Sequence, residues 1–290
     1  MANPPEFPAL VSSEWLAARL GDPGVRVVDA SLYLPSAGRD AGAEYRAGHI
    51  PGAVRFDLDA VSAPGTALPH MLPDPAAFAT AMGALGLADG DIIVVYDGSG
   101  TNLSAPRAWW MFRTFGHARV AVLDGGLGKW RAEGRPVERG ETHLPPATFS
   151  ARLDRTRVRD IAAMVANLAT GREQVVDARS AGRFAGSDPE PRAGLRPGHI
   201  PGSRNLPFHT LVRPDGTLPD IAELRARFAA AGLDLSAPII ASCGSGVTAC
   251  TLVHALHLAG VPAAVYDGSW TEWGGRSDVP VERGTGDRAS

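Results

Sequence analysis

The sequence is poor in cysteine, balanced in charge and free of long hydrophobic runs. Two cysteines among 290 residues, Cys243 and Cys250, are too few for a disulfide framework or a cysteine-rich zinc site, and their scarcity is typical of a reducing compartment. The 28 basic and 31 acidic residues are mixed along the chain and offer no cationic surface for nucleic acid or an anionic membrane. No stretch reaches the roughly 18 apolar residues that would span a bilayer, and the N-terminal segment lacks the pattern of an export signal. We therefore expect a cytoplasmic protein without nucleic-acid or membrane partners.

Segments of the first half of the chain recur in the second half. The sequence VVDA at 27–30 recurs at 175–178, GHIPG at 48–52 recurs at 198–202, and DGSG at 97–100 corresponds to CGSG at 243–246. The period is far too long for a solenoid repeat. We infer two copies of one domain, 1–140 and 152–290, with a linker at 139–153.

Each copy alternates short β-branched runs with helix-like segments. Continuous apolar strands separated by helices predict an α/β fold in which each copy is a parallel sheet with helices on both faces. Glycines at the ends of the helical patterns predict where those helices stop. Strands are expected at 25–28, 92–96, 120–123, 175–176, 239–241 and 264–266, and helices at 80–87, 221–233 and 249–259, ended by Gly86, Gly232 and Gly260.

Cys243 is the candidate nucleophile because it opens a glycine-rich loop between a predicted strand and a predicted helix. Such a loop aims backbone N–H groups and the positive end of a helix at the sulfur, which favours a thiolate and stabilises an anion attached to it. The first copy has Asp97 at this position, so only the second copy is a candidate catalytic domain. A phosphatase of the tyrosine-specific type would need an arginine where Ala249 stands. Cys250 is expected to pack in the core.

Several longer motifs, occurring in order along nearly the whole chain, carry a family resemblance. The repeated GHIPG, the pair VLDGG and VYDGSWTEW, and the loop CGSGVTAC resemble the tandem-domain rhodanese, or sulfurtransferase, family. The resemblance implies two rhodanese-like domains, of which the N-terminal one is inactive, and a persulfide on Cys243 as the covalent intermediate. It implies no metal and no organic cofactor. The backbone that would cradle the persulfide belongs to Gly244, Gly246, Val247 and Thr248.

Two branches of this family differ in their sulfur donor. The thiosulfate branch usually has a cationic loop of the form Cys-Arg-Lys-Gly-Val-Thr, whereas this loop has no charged side chain. The resemblance also places Arg183 and Arg192 where the 3-mercaptopyruvate branch binds the carboxylate of its 2-oxo acid. A planar guanidinium suits a carboxylate, so these residues favour the mercaptopyruvate branch.

The same branch is expected to have a Ser–His–Asp proton relay. The resemblance assigns Ser245 as the loop serine, His70 as the histidine and Asp59 as the carboxylate, with Asp57 as the competing carboxylate. In such a relay the carboxylate fixes the imidazole tautomer, and the imidazole moves a proton through the hydroxyl. His49 and His199 occur in both copies, including the inactive one, which favours a role in the fold for both.

The sequence therefore predicts an enzyme that takes sulfur from a small-molecule donor and passes it to a thiol acceptor such as thioredoxin, or to cyanide. A thiosulfate:cyanide sulfurtransferase is the alternative within the family. A sulfur carrier or a binding module is the alternative from another class, and turnover on the two donors separates the three.

Overall fold

A computed structural model describes residues 7–34 and 37–285. It divides into two compact units. Unit 1 contains the residues up to Ser62, Pro73–Asp154 and Arg213–Leu218, and unit 2 contains Ala63–Leu72, Arg155–Val212 and the residues from Pro219 onward. Two short segments thus belong to the unit formed mainly by the other half of the chain. The domain boundaries 1–140 and 152–290 stay a prediction, and their outer ends lie outside the described residues.

Unit 1 is built on a five-stranded parallel sheet of order β1-β5-β4-β2-β3, flanked by helices. The apolar runs at its centre are buried on both faces, which is why they read as continuous rather than alternating. The strands are β1 (Leu10–Val11), β2 (Val25–Asp29), β3 (Val54–Arg55), β4 (Ile92–Tyr96) and β5 (Val120–Leu123), and the helices are α1 (Ser13–Ala17), α2 (Ala41–Ala47), α3 (Leu58–Val61), α4 (Pro75–Ala84), α5 (Ala105–Thr114) and α6 (Gly126–Ala132).

Unit 2 repeats this plan with a five-stranded parallel sheet of order β6-β10-β9-β7-β8. The matching order confirms the duplication and the predicted α/β class. The strands are β6 (Val158–Arg159), β7 (Gln174–Asp177), β8 (Arg204–Asn205), β9 (Ile239–Ser242) and β10 (Ala263–Tyr266), the α-helices are α7 (Ile161–Thr170), α8 (Ala181–Ala185), α9 (Ile221–Ala230), α10 (Ala249–Leu258) and α11 (Ser269–Gly275), and short 3-10 helices cover Arg155–Arg157 and Phe208–Leu211.

The helix expected at 80–87 is wrong at both ends, because α4 covers Pro75–Ala84. It begins earlier because the Asp74 side chain accepts a hydrogen bond from the N–H of Ala77, with proline in the first turn. The predicted glycine stop is confirmed, since Gly86 has a φ of +77° just beyond the helix end. The helix α9 begins at Ile221 as predicted and ends three residues earlier than expected, before Gly232.

The segment 139–153 has no helix or strand, as a linker should, but it packs against unit 1. The N–H of Ala147 donates to the carbonyl of Gly83 at 2.9 Å, and the N–H of Arg152 donates to that of Phe115 at 2.9 Å. A Cβ atom at Gly83 would lie 2.6 Å from the Ala147 carbonyl oxygen, so this contact requires glycine. The segment is therefore a fixed part of unit 1.

None of the helices in the described ranges is both long and apolar enough to cross a membrane. Across the same ranges, His, Cys, Asp and Glu side chains form no group of three or more that could hold a metal ion.

Candidate active site

Cys243 follows directly after β9, a strand flanked by β10 and β7 in the unit 2 sheet. The side chain is a free thiol in a residue only 2% exposed. The chain turns through Gly246, whose φ of +75° favours glycine, and enters α10 at Ala249. Strand, glycine-containing turn and helix thus follow in the predicted order, at the carboxyl edge of a parallel sheet where ligands usually bind.

The loop that follows this cysteine contains backbone N–H groups without a protein acceptor in the part of the chain that the structure describes. Within the described residues, the N–H groups of Gly244, Ser245, Val247 and Thr248 donate to no protein acceptor. Successive N–H groups ahead of a helix form the kind of concavity that binds anions. The arrangement suits a negative charge carried by Cys243.

The beginning of α11 is hydrogen-bonded to the first two residues of this loop. The N–H of Trp270 donates to the Cys243 carbonyl at 2.9 Å, and the Gly244 carbonyl accepts from both the N–H and the Oγ1 of Thr271, at 2.9 and 2.7 Å. The N–H of Cys243 donates to Oγ of Ser269 at 3.1 Å. These contacts fix the first two peptide planes of the loop. In the sequence, this segment is part of the motif VYDGSWTEW, which carries the family resemblance.

Ser245 and His70 form a hydrogen-bonded pair. Oγ of Ser245 lies 3.0 Å from Nδ1 of His70, and both residues belong to unit 2. His70 has a φ of +59°, an uncommon conformation for a residue other than glycine, and the N–H of Leu72 anchors its segment by donating to Asp267 at 2.8 Å. This is one of the two contacts that the predicted relay needs, and proton transfer through it stays a prediction.

Asp57, the competing carboxylate, has structural contacts around the start of α3. Asp57 caps α3, accepting from the N–H groups of Asp59 and Ala60, and pairs with Arg55 at 3.0 Å. Asp59 is exposed in the first turn of that helix. Asp59 belongs to unit 1, and its contact with His70 stays a prediction.

The two predicted carboxylate-binding arginines have different surroundings. A Cβ atom at Gly244 would lie 3.2 Å from Nη2 of Arg183, so this guanidinium borders the loop. Both Nε and Nη2 of Arg183 point at Glu190. Arg192 is exposed in a bend and makes no ion pair with a described residue. The structure therefore brings Arg183 to the loop and leaves the role of Arg192 a prediction.

The corresponding loop of unit 1 carries its own anion. The Asp97 carboxylate accepts hydrogen bonds from Ser99 and from the N–H groups of Ser104 and Ala105, at 3.0 and 2.9 Å for the last two. It thereby occupies the donors around the start of α5. At this position unit 1 has a carboxylate in place of the thiol, and that carboxylate already accepts from the neighbouring N–H groups.

A family model for the rhodanese-like domain matches residues 12–133 and again residues 160–276. The chain belongs to the rhodanese family. Each matched range contains four of the five strands of one parallel sheet, so the duplication inferred from repeated motifs is a duplication of this domain.

Curated rhodanese-family relatives include proteins named for either donor. The chain is 47% identical over 279 residues to 3-mercaptopyruvate sulfurtransferase of Rattus norvegicus, covering 94% of each chain. It is 44% identical over 292 residues to thiosulfate sulfurtransferase of Bos taurus, covering 98% of each. The solved structure of SseA from Escherichia coli, described as a 3-mercaptopyruvate sulfotransferase with the rhodanese fold, superimposes with a TM-score of 0.83 at 42% identity, covering 90% of this chain and 98% of that one.

The repeated histidines of the two rhodanese domains make matching structural contacts. Nδ1 of His49 lies 2.9 Å from the Tyr45 carbonyl oxygen and Nδ1 of His199 lies 2.9 Å from that of Phe184, and each imidazole stacks on the ring of the same partner. Both histidines are fully buried. These contacts agree with a role in the fold for both.

Proposed function

We propose that this rhodanese-family chain is a sulfurtransferase that moves sulfur from 3-mercaptopyruvate, through a persulfide on Cys243, to a thiol acceptor, releasing pyruvate. The observation that carries the proposal is the Ser245–His70 hydrogen bond, made from a loop that begins with a buried cysteine and contains no charged side chain. A donor whose carbon fragment must be protonated needs such a pair, and thiosulfate does not.

In the first half reaction, the Cys243 thiolate attacks the sulfur of the donor. A sulfur–sulfur bond forms, the carbon–sulfur bond breaks, and its electron pair leaves with carbon as the enolate of pyruvate. The proton that the donor thiol gives up is returned to that carbon. Open N–H groups of the loop stabilise the anionic persulfide that remains on Cys243.

The Ser245–His70 pair is placed to move this proton. With Nδ1 of His70 accepting from the Ser245 hydroxyl, Nε2 carries the other proton, and a carboxylate such as Asp59 would hold that tautomer. The imidazole then takes a proton through the hydroxyl and gives it back to the enolate carbon.

In the second half reaction, an acceptor thiolate attacks the outer sulfur and restores the Cys243 thiolate. A dithiol protein such as thioredoxin is the acceptor we propose, with cyanide as a laboratory substitute that becomes thiocyanate. The low cysteine content is the basis for expecting this exchange in a reducing compartment such as the cytoplasm.

Thiosulfate is the second candidate donor, because a relative of similar identity is named for it. Thiosulfate carries two negative charges, whereas the carboxylate of mercaptopyruvate carries one. The loop of this chain has no cationic side chain, and Glu190 already pairs with the guanidinium of Arg183 beside it. A site with so little net positive charge suits the donor with the single carboxylate.

The donor preference tests this function. We expect kcat/KM to favour 3-mercaptopyruvate over thiosulfate by at least about tenfold, or about 1.4 kcal/mol of transition-state discrimination. Replacing Gly244-Ser245 by Arg-Lys should move the preference toward thiosulfate, because it adds two positive charges and removes the Ser245 hydroxyl. Steady-state kinetics with both donors and one acceptor decide it, and an equal or reversed preference in the native protein would favour the thiosulfate alternative.

The substitutions Arg183→Lys and Arg192→Lys each keep the positive charge but remove the planar guanidinium, which can donate two parallel hydrogen bonds to a carboxylate. We expect Arg183→Lys to raise KM for mercaptopyruvate by about tenfold, and Arg192→Lys to raise it with a smaller effect on thiosulfate. Arg155→Lys, an exposed arginine of unit 2 in a 3-10 helix, is the control. If Arg192→Lys has the same KM as the native protein for both donors, Arg192 does not bind the carboxylate.

A further inference from the structure

Glu190 is a nearly buried carboxylate shared by two arginines. Its side chain is 3% exposed and pairs through Oε1 with Nη1 of Arg179 at 2.7 Å and through Oε2 with Nη2 of Arg183 at 2.6 Å. Nε of Arg183 also donates to Oε1, at 3.3 Å. The carboxylate therefore bridges the two guanidinium groups.

One of these arginines is immobilised by the fold. Arg179 donates to both carboxylate oxygens of Asp177 and to the Gly198 carbonyl, and its guanidinium lies 4.3 Å from the ring centroid of Trp270. Burial opposes its charged form, yet pairing with Asp177 and Glu190 holds the pKa of Arg179 above its usual value. Its side chain is 1% exposed, so Arg179 has no edge left for a ligand.

The other arginine is accessible. The Arg183 side chain is 23% exposed and borders the loop at Gly244. Since Nε and Nη2 point at Glu190, Nη1 is the edge of the guanidinium without a partner among the described residues. Asp177 thus fixes Arg179, Arg179 fixes Glu190, and Glu190 fixes the orientation of Arg183.

We propose that Glu190 is a positioning residue that selects the sulfur donor. Glu190 orients the Arg183 guanidinium so that Nη1 is available to a carboxylate of the donor. The negative charge of Glu190 also offsets the positive charge of Arg183, and this loss of positive charge disfavours binding of a dianion more than binding of a monoanion. This proposal rests on the sulfurtransferase function given above. The two negative and two positive charges of this group balance, so it offers the donor an oriented guanidinium edge and no net charge. The group consists of Asp177, Arg179, Arg183 and Glu190.

The sign of the effect follows from Coulomb's law. The electrostatic energy between a fixed charge and a ligand is proportional to the ligand's own charge. Removing one negative charge therefore makes this energy more favourable for thiosulfate by about twice as much as for a monoanionic carboxylate. We expect Glu190→Gln to raise the ratio of kcat/KM for thiosulfate to that for mercaptopyruvate by about tenfold relative to the native protein. KM for mercaptopyruvate should rise more than kcat falls, because the fork loses its alignment.

Glu173→Gln is the matched control. Glu173 pairs with Nε and Nη2 of Arg159 at 2.8 Å each, in the same unit but just before β7, at the strand end opposite the loop. This substitution removes a carboxylate from an equally well formed arginine pair, so the donor ratio should not change. Thermal unfolding of both variants shows whether they are folded.

Glu190→Asp gives a second, independent reading. The shorter acid keeps the charge but cannot reach both arginines, so we expect a raised KM for mercaptopyruvate and a smaller change in the donor ratio, about threefold. If Glu190→Gln does not fold, Glu190→Asp decides alone. An unchanged donor ratio in every folded variant would overturn the proposal. The effect of Glu190 is measured as a change in the donor ratio relative to the native protein. A native preference for thiosulfate would therefore contradict the proposed function, while the change caused by substituting Glu190 could still be measured.

Discussion

Replacing Cys243 by serine is expected to abolish sulfur transfer from either donor, lowering kcat below detection, by at least about a thousandfold. The hydroxyl of serine is not ionised at neutral pH and cannot hold a transferable sulfur. Serine is close to cysteine in size, so the buried site should stay folded. Steady-state turnover with mercaptopyruvate and with thiosulfate measures the loss, and thermal unfolding checks the fold.

Cys250→Ser is the control for this result. Sγ of Cys250 donates to the Gly246 carbonyl at 3.2 Å, and a serine hydroxyl can make the same hydrogen bond from the same buried position. We expect the variant to keep at least about a third of kcat. Full activity in Cys243→Ser, or a complete loss in Cys250→Ser alone, would contradict the assignment of the nucleophile.

Removing either member of the Ser245–His70 pair is expected to slow the first half reaction. His70→Ala and Ser245→Ala should each lower kcat with mercaptopyruvate by about a hundredfold, because the enolate then lacks a positioned proton donor. The double variant should lose little more than the worse single variant, since both residues serve one proton path. Rapid-mixing measurements of pyruvate release report this half reaction directly.

The second half reaction is the internal control for the pair. Transfer of the outer sulfur to a thiol protonates no carbon, so the persulfide form of His70→Ala should react with the acceptor at close to the native rate. Asp59→Asn should resemble His70→Ala, whereas Asp57→Asn should not, because Asp57 caps a helix and pairs with Arg55. Additive losses from His70 and Ser245, or native pyruvate release in His70→Ala, would assign both residues to structure.

The sequence was most informative where physical patterns are local. The central strands could be placed within one or two residues because each is a continuous apolar run buried on both faces. The edge strands were not predicted, since two residues such as Leu10–Val11 or Arg204–Asn205 carry no periodicity. The start of α4 was missed because its signal is the Asp74 cap and the proline that follows, not an apolar stripe.

The candidate site shows the limit of reasoning from spacing. Cys243 and its loop follow from one contiguous motif, whereas Ser245 and His70 are far apart in sequence, and only the family resemblance suggested the pair. Glu190 lies two residues before Arg192, and nothing in its sequence neighbourhood predicts a role for it. Its importance comes from tertiary pairing with Arg179, which itself depends on Asp177, and no local pattern encodes that chain of contacts.

The central claim is that sulfur from mercaptopyruvate rests on Cys243 before it reaches an acceptor. The most direct measurement is mass spectrometry of the protein after treatment with mercaptopyruvate and no acceptor, with pyruvate quantified in the same sample. We predict the added mass of one sulfur atom on the peptide that contains Cys243, assigned to that residue by fragmentation, and one pyruvate released per modified chain. Pyruvate release from an unmodified protein, or sulfur carried by Cys250 and not by Cys243, would contradict the account.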